Sequence, residues 1–397
     1  MAELKCGIYG QFMPPLEAAV RYAATCEKMG LDAIAFTDQI QGNLPRALWK
    51  TMPHAEFLPW QHAILDASVV MTLATGVTST IELFLGAIDA VRHSPSKLAQ
   101  HFLTLDHAAK GRAWFALGGS EAKNLVQFGH SRIGSAKKFE DSLAIMRLML
   151  DHVGEPVSYQ GEAYTMKGGM QELGPYADRP PLILAATGGG PEVLALVGRH
   201  ADGMLTNLPG MCPGGPEQFA ADRRRIREEA EKAGRDPDRL RFAASVLVLM
   251  NDDPAEIRRL AATLPLRWNT IVYGAVHGAQ WKRFGFTHPL GDEWGYARHL
   301  VPERMTPEEV IRAADAVPVE AVCRMGHFTG TPEEVADQIL PYAEAGLEYA
   351  FLVDYAPYGD PTTAPASGAN LSRLVARLRG GRGLETATTG FLGMGAE

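Results

Sequence analysis

Cysteine is scarce in this chain of 397 residues. There are four, Cys6, Cys26, Cys212 and Cys323, in no CxxC or zinc-ligand spacing. A chain this long has no need of disulfides to hold its core, so reduced thiols are expected. A run of about 18 apolar residues is missing, which excludes a membrane-spanning helix. The opening MAELKCGIYG holds no apolar stretch of signal-peptide length, so a cytoplasmic location is expected. Positive charge is in deficit, with Lys+Arg 38 against Asp+Glu 46 and a net charge of -8, and no basic face marks a nucleic-acid partner. The densest basic run, Arg223 to Arg225 with Arg227, is followed at once by Glu228, Glu229 and Glu231, and reads as a solvated helix face. GxSxG elbows and P-loops are absent, which removes the usual markers of serine hydrolases and P-loop NTPases. His101 and His107, six apart, do not share a helix face well, and no metal is expected.

What is present is a soluble, globular composition. Hydrophobic residues make up 46% and charged residues 21%, enough apolar surface to offset the entropy of ordering. Short buried runs alternate with helical patterns. The runs are Leu4 to Tyr9, Ala33 to Phe36, Val77 to Leu85, Ala113 to Leu117, Leu182 to Ala186, Gly203 to Thr206, Phe242 to Met250 and Tyr349 to Val353. Helices are expected over Leu16 to Met29, Gln61 to Thr75, Pro95 to Ala109, Ser135 to Val153, Pro191 to Gly198 and Asn370 to Leu378, with another starting at the capped Thr331-Pro332-Glu333-Glu334. Eight such repeats predict a parallel sheet with right-handed crossovers, closed into an α/β fold of the (β/α)8 TIM-barrel type with insertions. The stretch 251–319 is too long for a βα loop and predicts a helical insertion in one barrel covering 1–379. The Gly/Thr-rich segment 380–397 is expected to be a flexible tail. Ser158 to Arg179 reads as a polar excursion.

In such a barrel, function sits just past the C-terminal ends of the strands. Those positions carry Phe12, Asp38-Gln39, Gly86-Ala87 with Asp89, Gly119-Ser120-Glu121, Ala186-Thr187-Gly188-Gly189-Gly190, Thr206 and Tyr355. The triple glycine lets backbone approach a ligand closely, and Pro191 opens a helix whose N-terminal amides suit an anion; a plain flexible loop is the other reading. Glu121 reads as a general acid/base or as a first-turn glutamate. Asp38 reads as an active-site carboxylate or as a loop cap. Trp49 and Trp60 either wall a pocket or pack loops.

Four segments together, FTDQIQGNLPRALW, IELFLGAIDAVRHSPSKLAQHFLTLDHAAKGRAWFALGGSEAKNL, LILAATGGGPEVLALVGRHADGMLTN and FTGTPEEVADQI, resemble the bacterial luciferase-like superfamily. Within it they are most similar to the branch that uses the deazaflavin coenzyme F420. The resemblance covers most of residues 1–354. It implies a coenzyme across the C-terminal mouth, its ring on a bulge with a non-proline cis peptide at Gly86-Ala87 and its phosphate at Thr187 to Gly190. It implies cofactor binding by Asp38, Gly86, Ala87, Asp89, Gly119, Ser120, Asn124, Ala186, Thr187, Gly188, Gly189 and Gly190. Asp38 and Glu121 map onto the family's catalytic carboxylates. Phe12, Gln39, Trp49 and Thr206 are expected on the substrate side.

Several deazaflavin relatives have His directly after the strand-two Asp, where this chain has Gln39. Glutamine is no general base, so the expectation is a reductase of a C=O, C=N or C=C bond in a small organic substrate. The alternatives are an FMN-dependent monooxygenase and a non-catalytic deazaflavin-binding protein. A homodimer is expected.

Overall fold

The computed structural model describes residues 4–385, with residues 11, 178 and 382 excepted. Eight parallel strands form the barrel: β1 Lys5–Gly10, β2 Ala33–Phe36, β3 Glu82–Asp89, β4 Ala113–Gly118, β5 Ile183–Ala186, β6 Gly203–Leu208, β7 Arg241–Met250 and β8 Tyr349–Asp354. Each pairs with its sequence neighbour, and β8 closes the ring by pairing with both β7 and β1. A short strand, Phe328–Gly330, adds to the outer part of β7.

The alternation of side chains explains why the strands read as continuous apolar runs. Ala33 and Ala35 face the barrel interior with Phe84, Trp114 and Phe351, while Ile34 and Phe36 face the helices. Phe84 stacks on Phe351 with centroids 5.1 Å apart, and a Cβ on Gly7 would meet the same Phe351 ring at 2.8 Å. Small residues on β1 and β2 therefore make room for large ones on β3, β4 and β8. The bottom of the barrel is closed by polar contacts: Lys5 pairs with Glu82, and the Tyr349 hydroxyl donates to Glu82 at 2.8 Å.

Several boundaries depart from the sequence expectation. The third strand starts at Glu82 rather than Val77, because Ser79, Thr80 and Ile81 present their backbone amides to the Glu27 carboxylate. It continues past Leu85 to Asp89, with its register against β4 shifting between Leu85 and Ile88. The helix expected from Gln61 starts at Ala67, where Asp66 caps the amides of Ser68 and Val69. The polar excursion is partly ordered as a hairpin, Val157–Gln160 with Thr165–Gly169, tied to the barrel by Asp141 through the amides of Ala163 and Tyr164. The last helix is longer than expected, Ala364–Leu378. The stretch after it is docked where flexibility was expected: Leu384 is buried, and the Glu385 amide donates to the Met29 carbonyl at 3.1 Å. The remainder of that segment, 386–397, lies outside the described residues.

Between β7 and β8 the chain forms the helices Pro254–Ala261, Leu264–Tyr273, Tyr296–His299 and Pro307–Asp315. They bury a separate apolar cluster around Trp268, Trp281 and Ile271, into which Leu48 and Trp49 of the loop after β2 also pack. The insertion and that loop thus share a core, placed over the C-terminal mouth. The expected Thr331 cap is present as a full capping box with Glu334.

Candidate active site

A cavity of about 590 Å³ fills the C-terminal mouth of the barrel. That is within the range of small-molecule and cofactor sites. Its floor is Ala87, on the far side of a cis Gly86–Ala87 peptide, beside Gly118. Gly86 itself has no room for a side chain, since a Cβ there would stand 2.8 Å from both Ala116 and Phe84.

Two carboxylates hang from one guanidinium at the edge of this floor. Arg92 donates through Nη2 to Asp38 at 2.7 Å and through Nε to Asp89 at 3.1 Å. Asp89 also accepts the backbone amides of Val91 and Arg92, and the Ser120 hydroxyl donates to it. Ser120 holds a left-handed backbone (φ 79°), and Arg132 donates to its carbonyl. Burial lifts the Asp38 carboxyl above the usual carboxylate range, against the opposing pull of Arg92 and of His93, whose Nε2 lies 3.9 Å away.

Glu121 stands on the next loop in a different setting. It is paired with Lys123, whose side chain is fully buried, and it receives a long contact from Asn124 Nδ2 at 3.4 Å. Tyr296, from the insertion, lines the same cavity. Tyr9, Tyr273 and Tyr355 complete a ring of phenols around the mouth. Burial pushes Tyr9 and Tyr355 up to about 12, and Tyr273 and Tyr296 are raised further by burial and by the nearby Glu121 charge. All four therefore keep their protons at neutral pH and act as donors as well as acceptors. Tyr9 donates to the Gly86 carbonyl at 3.0 Å, and Asn43 donates to Tyr273.

On the far wall, Thr187 and Gly188 line the cavity. The Thr187 hydroxyl accepts the Gly189 amide at 3.0 Å, and Gly189 and Gly190 both take positive φ, leading into the helix Pro191–His200. That helix reaches the cavity at Val193, while Gly190, Pro191 and Glu192 are exposed.

The structure thus gathers Asp38, Ala87, Asp89, Gly119, Ser120 and Glu121 around one hollow with Asn124, Ala186, Thr187 and Gly188. Phe12, Gln39, Trp49 and Thr206 line it as well. Gly86, Gly189 and Gly190 stand behind the lining and shape it. Trp60 is 60% exposed, stacked under Arg46, and does not wall the cavity; Trp49 does, while its indole donates to the Leu58 carbonyl at 2.8 Å. Asn124 spends its Oδ1 on the amides of Ile40 and Gln41 at 3.1 and 3.0 Å, so its polar end holds the loop after β2. The sequence reading missed Arg92, Arg132, Lys123, Tyr273 and Tyr296. For Arg92 a signal existed: it lies three residues past Asp89 in the stretch DAVR.

The residues fit a flat, anionic cofactor. Ala87 puts a methyl group into the lining at the cis peptide, and Arg132 lines the same cavity for the negative end. Among the described residues, no group of three or more His, Cys, Asp or Glu is arranged to hold a metal ion, and no helix is long and apolar enough to cross a membrane.

Comparison with known proteins shows the family and the fold. The family described as luciferase-like monooxygenase matches residues 4–349. The phthiodiolone/phenolphthiodiolone dimycocerosates ketoreductase of Mycobacterium tuberculosis (strain ATCC 25618 / H37Rv) is 26% identical over 347 residues, 86% of this chain and 88% of that protein. The F420-dependent glucose-6-phosphate dehydrogenase of Mycolicibacterium gilvum (strain PYR-GCK) is 27% identical over 373 residues, 91% of this chain and 94% of that one. The solved coenzyme F420-dependent tetrahydromethanopterin reductase from Methanopyrus kandleri shares the fold, with a TM-score of 0.65 at 18% identity, covering 95% of this chain and 98% of its own.

Proposed function

The chain belongs to the luciferase-like monooxygenase family, and from that premise we propose that it is an oxidoreductase using the deazaflavin coenzyme F420. One observation carries the proposal. Ala87 at the cis peptide, Arg132 and Glu121, which is paired with Lys123, all line the same cavity. The relatives named for F420 dependence and for keto reduction support it.

When bound, the coenzyme supplies a hydride at ring carbon 5. The chain's own residues do the rest. Asp38, Asp89 and Ser120, linked by Arg92, shape the edge of the ring site. Thr187 to Gly190 and Arg132 hold the negative end. The insertion and the loop after β2 exclude water, which keeps the two reacting carbons aligned. Glu121, paired with Lys123 and lining the cavity with Tyr296, is the group that gives or takes the balancing proton. Gln39 at the mouth offers no base, so the reaction we assign is reduction of a C=O, C=N or C=C bond.

The test is fluorescence titration of the apoprotein with F420 and with FMN, followed by a screen of ketones, imines and activated alkenes against the reduced deazaflavin. Tight deazaflavin binding with turnover supports the reading. Preference for FMN moves the chain to the oxygen-using side of its family. Binding without turnover of any substrate makes it a coenzyme-binding protein. A homodimer is part of the reading, supported by Val69 and Leu73, which are 51% and 44% exposed on the outward face of the helix Ala67–Thr75. Sedimentation velocity at low micromolar concentration checks it, and a monomer there removes it.

A further inference from the structure

The loop after β2 sends into the lining of the mouth an imidazole that has no partner. His54 is buried and lines the cavity. Neither of its ring nitrogens has a hydrogen-bond partner among the described residues, and Nδ1 is sealed from solvent as well. Buried polar atoms are nearly always paired, so a bare imidazole in a cavity wall is a place for a partner from outside the chain. Asn43, Asn207 and Asn269, in the same lining, each keep a buried side-chain oxygen that receives no donor. The lining is therefore short of hydrogen-bond donors, and the chain itself does not supply them.

The ring is held in place without being used. It stacks on Trp49 with centroids 6.1 Å apart and planes at 27°. The Trp49 indole donates to the Leu58 carbonyl at 2.8 Å, and the Leu58 amide donates to the His54 carbonyl at 2.9 Å. The pair is thus fixed before any ligand arrives, which spares a ligand the cost of ordering it. The surroundings are apolar. Leu44 and Met52 line the cavity from the same loop and share one cluster with Trp49. Burial draws the imidazole below its ordinary value, so near neutral pH it is uncharged, able to donate at one nitrogen and accept at the other. Charges elsewhere in the lining have partners within the chain. Arg132, the one Arg or Lys among the described lining residues, donates to the Ser120 carbonyl. Asp38 and Asp89 share Arg92, Glu121 has Lys123, and Asp354 has Ser367.

We propose that His54 binds the substrate, and that the substrate is an uncharged, largely apolar molecule with a hydrogen-bond donor that reaches this imidazole. The proposal rests on the oxidoreductase reading above and deepens it. An anionic substrate would find no cation on this wall. A pure hydrocarbon body would leave the ring as bare as it is now.

The experiment uses three ketones of one shape: benzylacetone, the same ketone with a para hydroxyl, and the same ketone with a para carboxylate. Each is titrated calorimetrically into the full chain loaded with oxidised F420, which cannot reduce them. The hydroxyl probe should bind roughly tenfold tighter than benzylacetone, the worth of about one net hydrogen bond. The carboxylate probe should bind weakest, because its charge is desolvated without a partner. His54→Leu should abolish the hydroxyl advantage and leave benzylacetone affinity nearly unchanged, with a matching melting temperature as the check on folding. His54→Gln, which can still hydrogen-bond, should restore part of the advantage. Equal affinity for the two neutral probes, an advantage that survives His54→Leu, tightest binding of the carboxylate, or no binding of any probe overturns the proposal while the coenzyme reading stands. Should the chain bind FMN and not F420, the coenzyme reading falls, and the same titrations on the FMN-loaded chain decide the role of His54 by the same outcomes.

Discussion

Arg92 donates to the Asp38 carboxylate at 2.7 Å, tying the turn after β3 to the end of β2 across 54 residues of sequence. The same guanidinium holds Asp89 at 3.1 Å, so one cation organises two carboxylates on the edge of the mouth.

Removing that cation leaves two largely buried carboxylates side by side. Arg92→Met should cost about 3 kcal/mol of stability, in the range for breaking a buried ion pair. Urea unfolding at neutral pH reads it. The loss should be smaller near pH 4, where Asp38, already raised by burial, takes up a proton. An equal loss at both pH values would show that charge is not the cause.

Glu121→Gln keeps the shape of the side chain and removes its proton chemistry. Turnover should fall by roughly 100-fold, the lower range for a lost general acid or base, with coenzyme affinity nearly unchanged. Tyr296→Phe should lower turnover less, since it removes a phenol that lines the cavity with Glu121 and leaves the carboxyl. Loss of coenzyme binding with normal turnover at saturation would instead make Glu121 a binding group.

Gly203→Ala should destabilise the barrel. Gly203 opens β6 at φ 138°, and a Cβ there would collide with the backbone carbonyl of Arg241 on β7. A cost of about 2 kcal/mol or more is expected, because neither the dihedral nor the neighbouring strand can yield cheaply. The midpoint of chemical denaturation measures it.

Asp354 is fully buried at the end of β8, accepting from Ser367 Oγ at 2.5 Å and from the Ala356 amide at 3.0 Å. Burial raises it from 3.8 to about 6. A carboxyl raised in the folded state contributes stability that is whole below its unfolded value and is lost as pH climbs through its folded one. The wild-type protein should therefore lose stability from this group between pH 4 and pH 7. Asp354→Asn should not, and its stability relative to wild type should improve by about 2–3 kcal/mol over that interval. Parallel melting curves across pH would show it as diverging lines.

The parts legible in the sequence were those fixed by local pattern. Ala33 to Phe36 reads as a strand because a barrel strand is buried on both faces. The Thr331–Glu334 capping box is complete within four residues. The third strand was misplaced because its start depends on Glu27, more than fifty residues earlier, whose carboxylate takes the amides of Ser79 to Ile81. On the site side, Asp38, Glu121 and Thr187 sit where strand ends put them. Tyr273 and Tyr296 do not, because the helices that carry them reach the mouth only by packing against Leu48 and Trp49 of a distant loop. Lys123 was invisible for another reason: a lone lysine beside a glutamate reads as surface, and nothing local shows that its side chain is buried.

The side-chain oxygen of Asn124 holds the amides of both Ile40 and Gln41, so the loop after β2 is hung from the loop that carries Glu121. For protein engineering this makes the two segments a single transplantable unit. A new loop grafted between β2 and the next helix would have to offer two adjacent amides to that one acceptor. One that did not would come loose at its root, however well its tip was designed for a new substrate.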